Sequence, residues 1–319
     1  MKTLLAPALL LASLLVPGEA CAQLFRAYLS STGNVNNACT VFAPCRLLPR
    51  ALAVVNDFGE VWMVDSANYN TGTVTIAKSV TIVAVPGALG SLVALNGPAV
   101  EVTTTSVVTF RNLVFAPVAG SPIGGGIVST AFAPRITVED CRFQGLTKPI
   151  FINSNGAQLV VRNTVMLSNE AGVHVKGGTV ALVSNVKVSN VFGGFADSGA
   201  FIADAGVSGT NTVMTVEDTT VANSSSAAFS ADDLGAGGTG TARMHVIRST
   251  ALRVASGVVA RHSTAASQSV ATVSQSALLS SQFGFNNSAP PTQGTILSAG
   301  NNTLSGNFSD GTPAALPLK

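Results

Sequence analysis

The chain has 319 residues, of which 47% are hydrophobic and only 10% charged, with 17 Lys+Arg against 15 Asp+Glu and a net charge of +2. A chain this apolar and this weakly charged is not a disordered one. No Lys/Arg cluster is present to neutralise phosphates, which excludes a nucleic-acid binder.

Residues 1–22 read as an export signal. Lys2 is the positive n-region, residues 4–16 are the apolar stretch, and Ala20-Cys21-Ala22 fits a small-x-small cleavage site before Gln23. Thirteen apolar residues are too few to span a bilayer, which takes about 20. Acylation of Cys21 as a lipoprotein is the competing reading, and Glu19 fits it poorly. No later segment is long and apolar enough for a transmembrane helix, so the expected location is periplasmic or extracellular. Cysteine use agrees with export. Cys39 and Cys45 bracket a short loop that an oxidising compartment could close, and Cys141 reads as a small buried core residue.

Residues 23–58 are expected to form an N-terminal cap, the cysteine loop followed by a short helix. Leu47, Leu48, Ala51, Leu52, Val54 and Val55 supply the helix's apolar positions despite Pro49. Such a helix would cover the strand edges of a first coil. Val61-Trp62-Met63-Val64 and Val80-Thr81-Ile82-Val83 read as opening strands.

Two loose motifs then march along residues 59–311. The first is apolar, two mostly polar residues, then a return toward apolar, as in Phe110-Arg111-Asn112-Leu113, Val138-Glu139-Asp140-Cys141 and Val183-Ser184-Asn185-Val186. Its copies advance by 22 to 33 residues. The second, apolar-x-apolar-polar, falls between them at similar intervals, as in Ile150-x-Ile152-Asn153, Val173-x-Val175-Lys176, Phe201-x-Ala203-Asp204 and Phe283-x-Phe285-Asn286. Each motif is read as one strand with alternate side chains inward. Gly, Asn and Ser runs such as Gly124-Gly125-Gly126 and Gly235-Ala236-Gly237-Gly238 are read as turns. Units of this size cannot bury a core alone but can when stacked, which predicts an all-β right-handed parallel β-helix of eight or nine coils. Residues 312–319 read as a loose tail.

The opening Phe25-Arg26-Ala27-Tyr28-Leu29-Ser30-Ser31-Thr32-Gly33, the paired Cys39 and Ala43-Pro44-Cys45-Arg46, and Val74-Thr75-Ile76 with Lys78-Ser79-Val80-Thr81-Ile82 resemble exported bacterial right-handed β-helix proteins of the pectate-lyase-like superfamily. The resemblance covers essentially the whole chain after the signal. It implies fold and export; that superfamily contains lyases, hydrolases, esterases and non-catalytic surface proteins, so it does not imply one activity. The Asn-Thr-Asp, Gly-His-Gly and Arg-Ile-Lys segments of polygalacturonases are absent, as is the arginine-rich pattern of pectate lyases. No catalytic residue of the superfamily therefore carries over to a position here.

Chemistry of its own is expected in the column that follows the second motif. Thr103, Thr130, Asn153, Lys176, Asp204, Asp232, Arg261 and Asn286 should stack on an exposed sheet face, with Asp233 and His262 beside them. Neighbouring strands lie about 4.8 Å apart, so Asp204 and Asp232 could form the carboxylate pair of a retaining glycosidase. They could instead hold Ca²⁺ through oxygen; no other cofactor is expected, and no Cys/His spacing suggests a metal site. Lys176, Arg261, His262 and Asp233 would bind substrate, Lys176 or Arg261 meeting an acidic sugar. The plainer reading, which we prefer, is a surface charge ladder in which Lys176 and Arg261 offset the repulsion of two adjacent aspartates. His174 is expected on the surface and His245 as a packing residue; Asn112, Asp140, Asn163, Asn185 and Asp218 are expected to form a hydrogen-bonded turn ladder. The expected function is contact with polysaccharide or surface glycan without catalysis, and the alternative is a polysaccharide lyase or glycosidase built on the Asp pair.

Overall fold

The structure is a computed structural model that describes residues 24–316 apart from 104, 121–123, 194–198, 207–208, 234–238, 263–266 and 288–291. The export signal, the glycine run at 235–238 and the last three residues of the tail lie outside the described residues.

Repeated strands, most of them three to nine residues long and rich in Val, Ile, Phe and Thr, wind into a parallel β-helix of about nine turns. One face is a twelve-stranded sheet running from Leu24–Leu29 through Val55–Met63 to Ala314–Ala315. Two further faces merge into an eighteen-stranded sheet where Thr220–Asp233 and Thr250–His262 run through the corner between them. Alternate side chains point inward and form one continuous core, with Phe115 stacked on Phe143 and Phe201 on Phe229. The helix, Leu48–Val54, buries Leu48, Ala51 and Leu52 against the first coil. Cys39 and Cys45 are bonded in the loop before it, with Cα atoms 4.6 Å apart. The segment Leu24–Leu29, which the sequence pattern placed in the cap, is a strand paired in parallel with Val55–Met63. Part of the expected tail, Ala314–Ala315, likewise adds a last rung.

The first motif is a corner and not a strand. Asn112, Asp140, Asn163, Asn185, Asp218, Arg248 and Gln275 all have φ between 48° and 54°, turning the chain from one face to the next. Left-handed backbone costs most residues about 1–2 kcal/mol, and the short polar side chains of Asn and Asp tolerate it best. That requirement, more than any ladder, explains the Asn/Asp column, although Asn185 does donate to Asn163 at 2.9 Å. The residue after the corner turns inward. There Thr219, Ser249, Ser276 and Asn302 each accept a backbone N–H from the preceding coil at 2.9–3.2 Å, so three buried hydroxyls and one half-buried amide satisfy the bend. Cys141 occupies this same inward position and is 2% exposed, as expected of a core residue.

A column of small residues fixes the register of the second motif. Ala99, Gly126, Pro149, Gly172, Ala200, Ala228, Gly257 and Gly284 precede its first apolar residue. A Cβ on Gly126, Gly172 or Gly257 would run into the backbone carbonyl of Pro149, Ala200 or Gly284 on the next rung. Aligned on these residues, Gly284-Phe285 matches Gly257-Val258, and Phe285 indeed pairs with Val258. Asn286 therefore sits beside Val259 and not beside Arg261, two places from its expected position.

Candidate functional site

Strand register brings the expected ladder together from Asn153 to Arg261. Asn153 pairs with Lys176, Lys176 with Asp204, Asp204 with Asp232, and Asp232 with Arg261; Asp233 pairs with His262 on the adjoining position. All are neighbours across parallel strands, so equivalent side chains stack at the strand spacing of about 4.8 Å.

The exposed face anticipated for this ladder is not what forms. Asp204 and Asp232 are each 2% exposed and Asp233 1%. The flanking outward positions are covered too: Ile202, Ser230, Val259 and His174 are buried, yet Ile202 and Val259 lie outside the continuous core. These strands thus carry a second buried layer on the side facing away from the solenoid interior. Part of the cover is local, because Gly206 stands directly against the Lys176 stem, where any Cβ would collide with it. His174, expected on the surface, belongs to this layer, edge-on to Phe151 at 5.1 Å between ring centroids. A sequence signal for the cover existed. Phe151, Ile202 and Val259 place apolar residues at outward positions of one column, which an exposed face would not favour.

Within the layer Asp204 and Asp232 each have their own cation. Lys176 Nζ donates to Asp204 Oδ2 at 2.9 Å. Arg261 grips both oxygens of Asp232, through Nε at 2.9 Å and a terminal nitrogen at 2.8 Å, the bidentate geometry that makes Arg–carboxylate pairs strong. His174 Nε2 stands 3.5 Å from Asp204 Oδ2, close but short of hydrogen-bond geometry. The two carboxyls are displaced in opposite directions. For Asp204 burial is the largest influence and acts upward, but His174 and Lys176 together outweigh it and hold the group below the ordinary carboxylate range. Asp232 is pushed above that range by burial, which Arg261 offsets only in part, and the nearby Asp204 charge adds to the rise.

Among the described residues, eight buried side-chain N or O atoms lack a hydrogen-bond partner, and six of them belong to His174, Asp204, Ser230 and Asp233. Unused hydrogen-bonding capacity is therefore concentrated on three adjacent strands. Also among the described residues, no three His, Cys, Asp or Glu side chains converge closely enough to hold a metal ion.

Two other features bear on function. The flat outward face of the twelve-stranded sheet carries an aromatic patch at its N-terminal end. There Trp62 lies edge-on to Tyr28, Arg26 stacks 4.0 Å over Trp62, and Glu60 Oε2 accepts from both Arg26 and the Trp62 indole. Tyr69, the other tyrosine, is fully buried. His245 is the half-buried packing residue expected, its Nδ1 2.6 Å from Thr272 Oγ1, and burial followed by the Arg243 charge lowers its pKa. Among the described residues, no helix is long and apolar enough to cross a membrane.

Fold and site define a parallel β-helix with a charged layer buried beneath its outer surface. No family model and no curated protein matches the sequence. Solved structures that follow a similar path include a GH136 lacto-N-biosidase from Eubacterium ramulus (TM-score 0.47, 9% identity, covering 92% of this chain and 68% of that one). Others are the pectate lyase Pel9A (0.42, 15%, 90% and 78%) and a rhamnogalacturonan lyase (0.38, 11%, 91% and 89%). At these identities and TM-scores the likeness is one of overall path alone; the parallel β-helix that the resemblance implied is read from the strand pairing of the structure itself.

Proposed function

We propose that the protein is an exported β-helix of the cell envelope or extracellular space that contacts polysaccharide or surface glycan without cleaving it. The observation that carries the non-catalytic reading is the state of the Asp pair. Both carboxylates are buried, and each is bound to a separate cation, so neither faces a cleft in which a glycosidic bond could lie. Trp62, Tyr28, Arg26 and Glu60 support glycan contact, because aromatic rings edged by fixed polar groups suit the apolar face and hydroxyl rim of a sugar. The test is a panel of pectic, alginate-like and neutral polysaccharides offered to the mature protein with and without Ca²⁺. Binding without new reducing ends or unsaturated product supports the proposal, and loss of binding in Trp62→Ala locates the contact. N-terminal sequencing of the exported protein should start at Gln23.

A second reading, a lyase or glycosidase, is favoured by one specific observation. Asp204 and Asp232 have their pKa values driven apart, the arrangement that lets two like groups serve as base and acid, and His174 stands against one of them. Cleavage abolished by Asp232→Asn or Asp204→Asn would establish it and overturn the non-catalytic proposal.

A further inference from the structure

We propose that the corner carrying Asn163 and Asn185 takes the carboxylate of an acidic polysaccharide laid along the twelve-stranded sheet. The inference rests on the glycan-contact reading and names the class of glycan. At this corner the chain passes from Gln158–Arg162 to Val165–Leu167, and one coil later from Val180–Ser184 to Lys187–Ser189. Between the two rungs is an open recess of about 170 Å³ lined by Asn163, Thr164, Val165, Asn185 and Lys187. Whole drug-sized ligands occupy about 300–1,000 Å³, so this space suits the acidic edge of one sugar ring.

Three cations surround the recess. Arg142, Val165 and Lys187 are successive Cα partners, so the two cations stand on either side of Val165, about 10 Å apart. Arg162 approaches from the other side of the corner, one residue before Asn163, and all three cations are exposed. Among the described residues, no partner engages the side chain of Arg162 or Lys187, and Arg142 bonds only the neutral amide of Gln144. Asn185 Nδ2 donates to Asn163 Oδ1 at 2.9 Å, which occupies that acceptor and leaves the Asn163 amide hydrogens for a ligand. Donors therefore outnumber acceptors, and Arg162 presents the planar fork that takes a carboxylate through two bonds. Of the neighbouring carboxylates, Glu139 is bound by Arg111, and Glu217 and Asp218 by Arg248. Asp140, the corner residue of the coil before, sets one negative charge against three positive ones.

The recess shares a sheet face with the aromatic patch. Trp62, Val83, Arg111, Glu139 and Arg162 are successive partners at outward positions, which puts Trp62 and Arg162 about 19 Å apart along the solenoid. An acidic chain following that line stacks one ring on Trp62 and presents a carboxylate to the recess. The Arg111–Glu139 pair neutralises the stretch between, so charge is read at the recess.

The test is calorimetric titration of the full mature chain, without divalent cations, with polygalacturonate, its fully methyl-esterified form and dextran sulfate. At about 0.05 M salt polygalacturonate should bind about tenfold more tightly than the ester, and the preference should fade at about 0.5 M as screening tightens. The double variant Arg162→Gln with Lys187→Gln, at exposed positions, should bring the two pectic chains within about twofold and leave the ester's affinity unchanged. Arg243→Gln removes an exposed cation elsewhere on the same sheet and should leave the preference intact. Trp62→Ala should weaken both chains. Equal binding of acid and ester by the parent would overturn this inference while leaving the broader reading in place, as would a preference that survives the double variant or that Arg243→Gln removes equally. Dextran sulfate bound as tightly as polygalacturonate would overturn the carboxylate assignment. No binding to any glycan would overturn both readings.

Discussion

Replacing Arg261 by Met tests whether the buried ladder is electrostatic or merely packed. The Arg261 side chain is 19% exposed and that of Asp232 only 3%, so the substitution strands a carboxylate that has almost no access to water. Removing one partner of a buried pair costs about 3–5 kcal/mol, and the partial exposure of Arg261 places the expectation near the lower end, about 3 kcal/mol at pH 7.5. The pH dependence carries the sign. Asp232 already has a folded-state pKa above its unfolded value, so its contribution favours folding most below the unfolded pKa and is lost as pH rises through the folded one. Without Arg261 the folded pKa rises further, and lowering the pH lets the group take a proton and relieves the penalty. The loss should shrink to about 1 kcal/mol at pH 4.5, the remainder reporting the missing contacts of the arginine stem. Urea unfolding followed by far-UV circular dichroism at the two pH values measures both. The double variant Asp232→Leu with Arg261→Met should recover to within about 1 kcal/mol of the parent, because an apolar pair needs no compensation. A loss equal at both pH values, or a double variant as unstable as the single one, would refute the electrostatic account.

Asp204 gives the opposite pH signature: its folded pKa is lowered, so the stability lost in Asp204→Asn should be present at pH 7 and vanish as pH falls below the ordinary carboxylate range, again read by urea unfolding. Gly172→Ala drives a methyl into the Ala200 carbonyl and should lose about 3 kcal/mol or more or fail to fold, whereas Gly72→Ala, with open space around it, should change the melting temperature by no more than about a degree. At the corner, Asn185→Ala should cost about 1–2 kcal/mol in the same assay and Asn185→Gly much less, since φ there is 51°. Burial pushes the Cys141 thiol up to about 12, so a disulfide reagent at pH 8 should leave the native protein unlabelled and react only after unfolding.

The repeat was legible because two periodic constraints act on neighbouring residues in sequence. Alternation sends Val100, Ile127, Val173 and Phe229 inward at each turn, and the left-handed corner admits Asn112, Asp140, Asn163, Asn185 and Asp218 at low cost; together they determine a stacked all-β solenoid and the helix that closes its first coil. The sequence also placed Lys176, Asp204, Asp232 and Arg261 in one column, since coil length alone sets which residues stack. Where that column failed, at Asn286, the small residue Gly284 carried the right register, but its meaning depends on a carbonyl from the next coil. Burial was decided only by the tertiary structure. A strand's alternation says which side chains leave the core, and not whether other parts of the chain cover them once they have left. His174, Asp204 and Asp232 leave the core and are buried all the same, which turns a surface ladder into a buried one in which Asp204 and Asp232 each need their own partner.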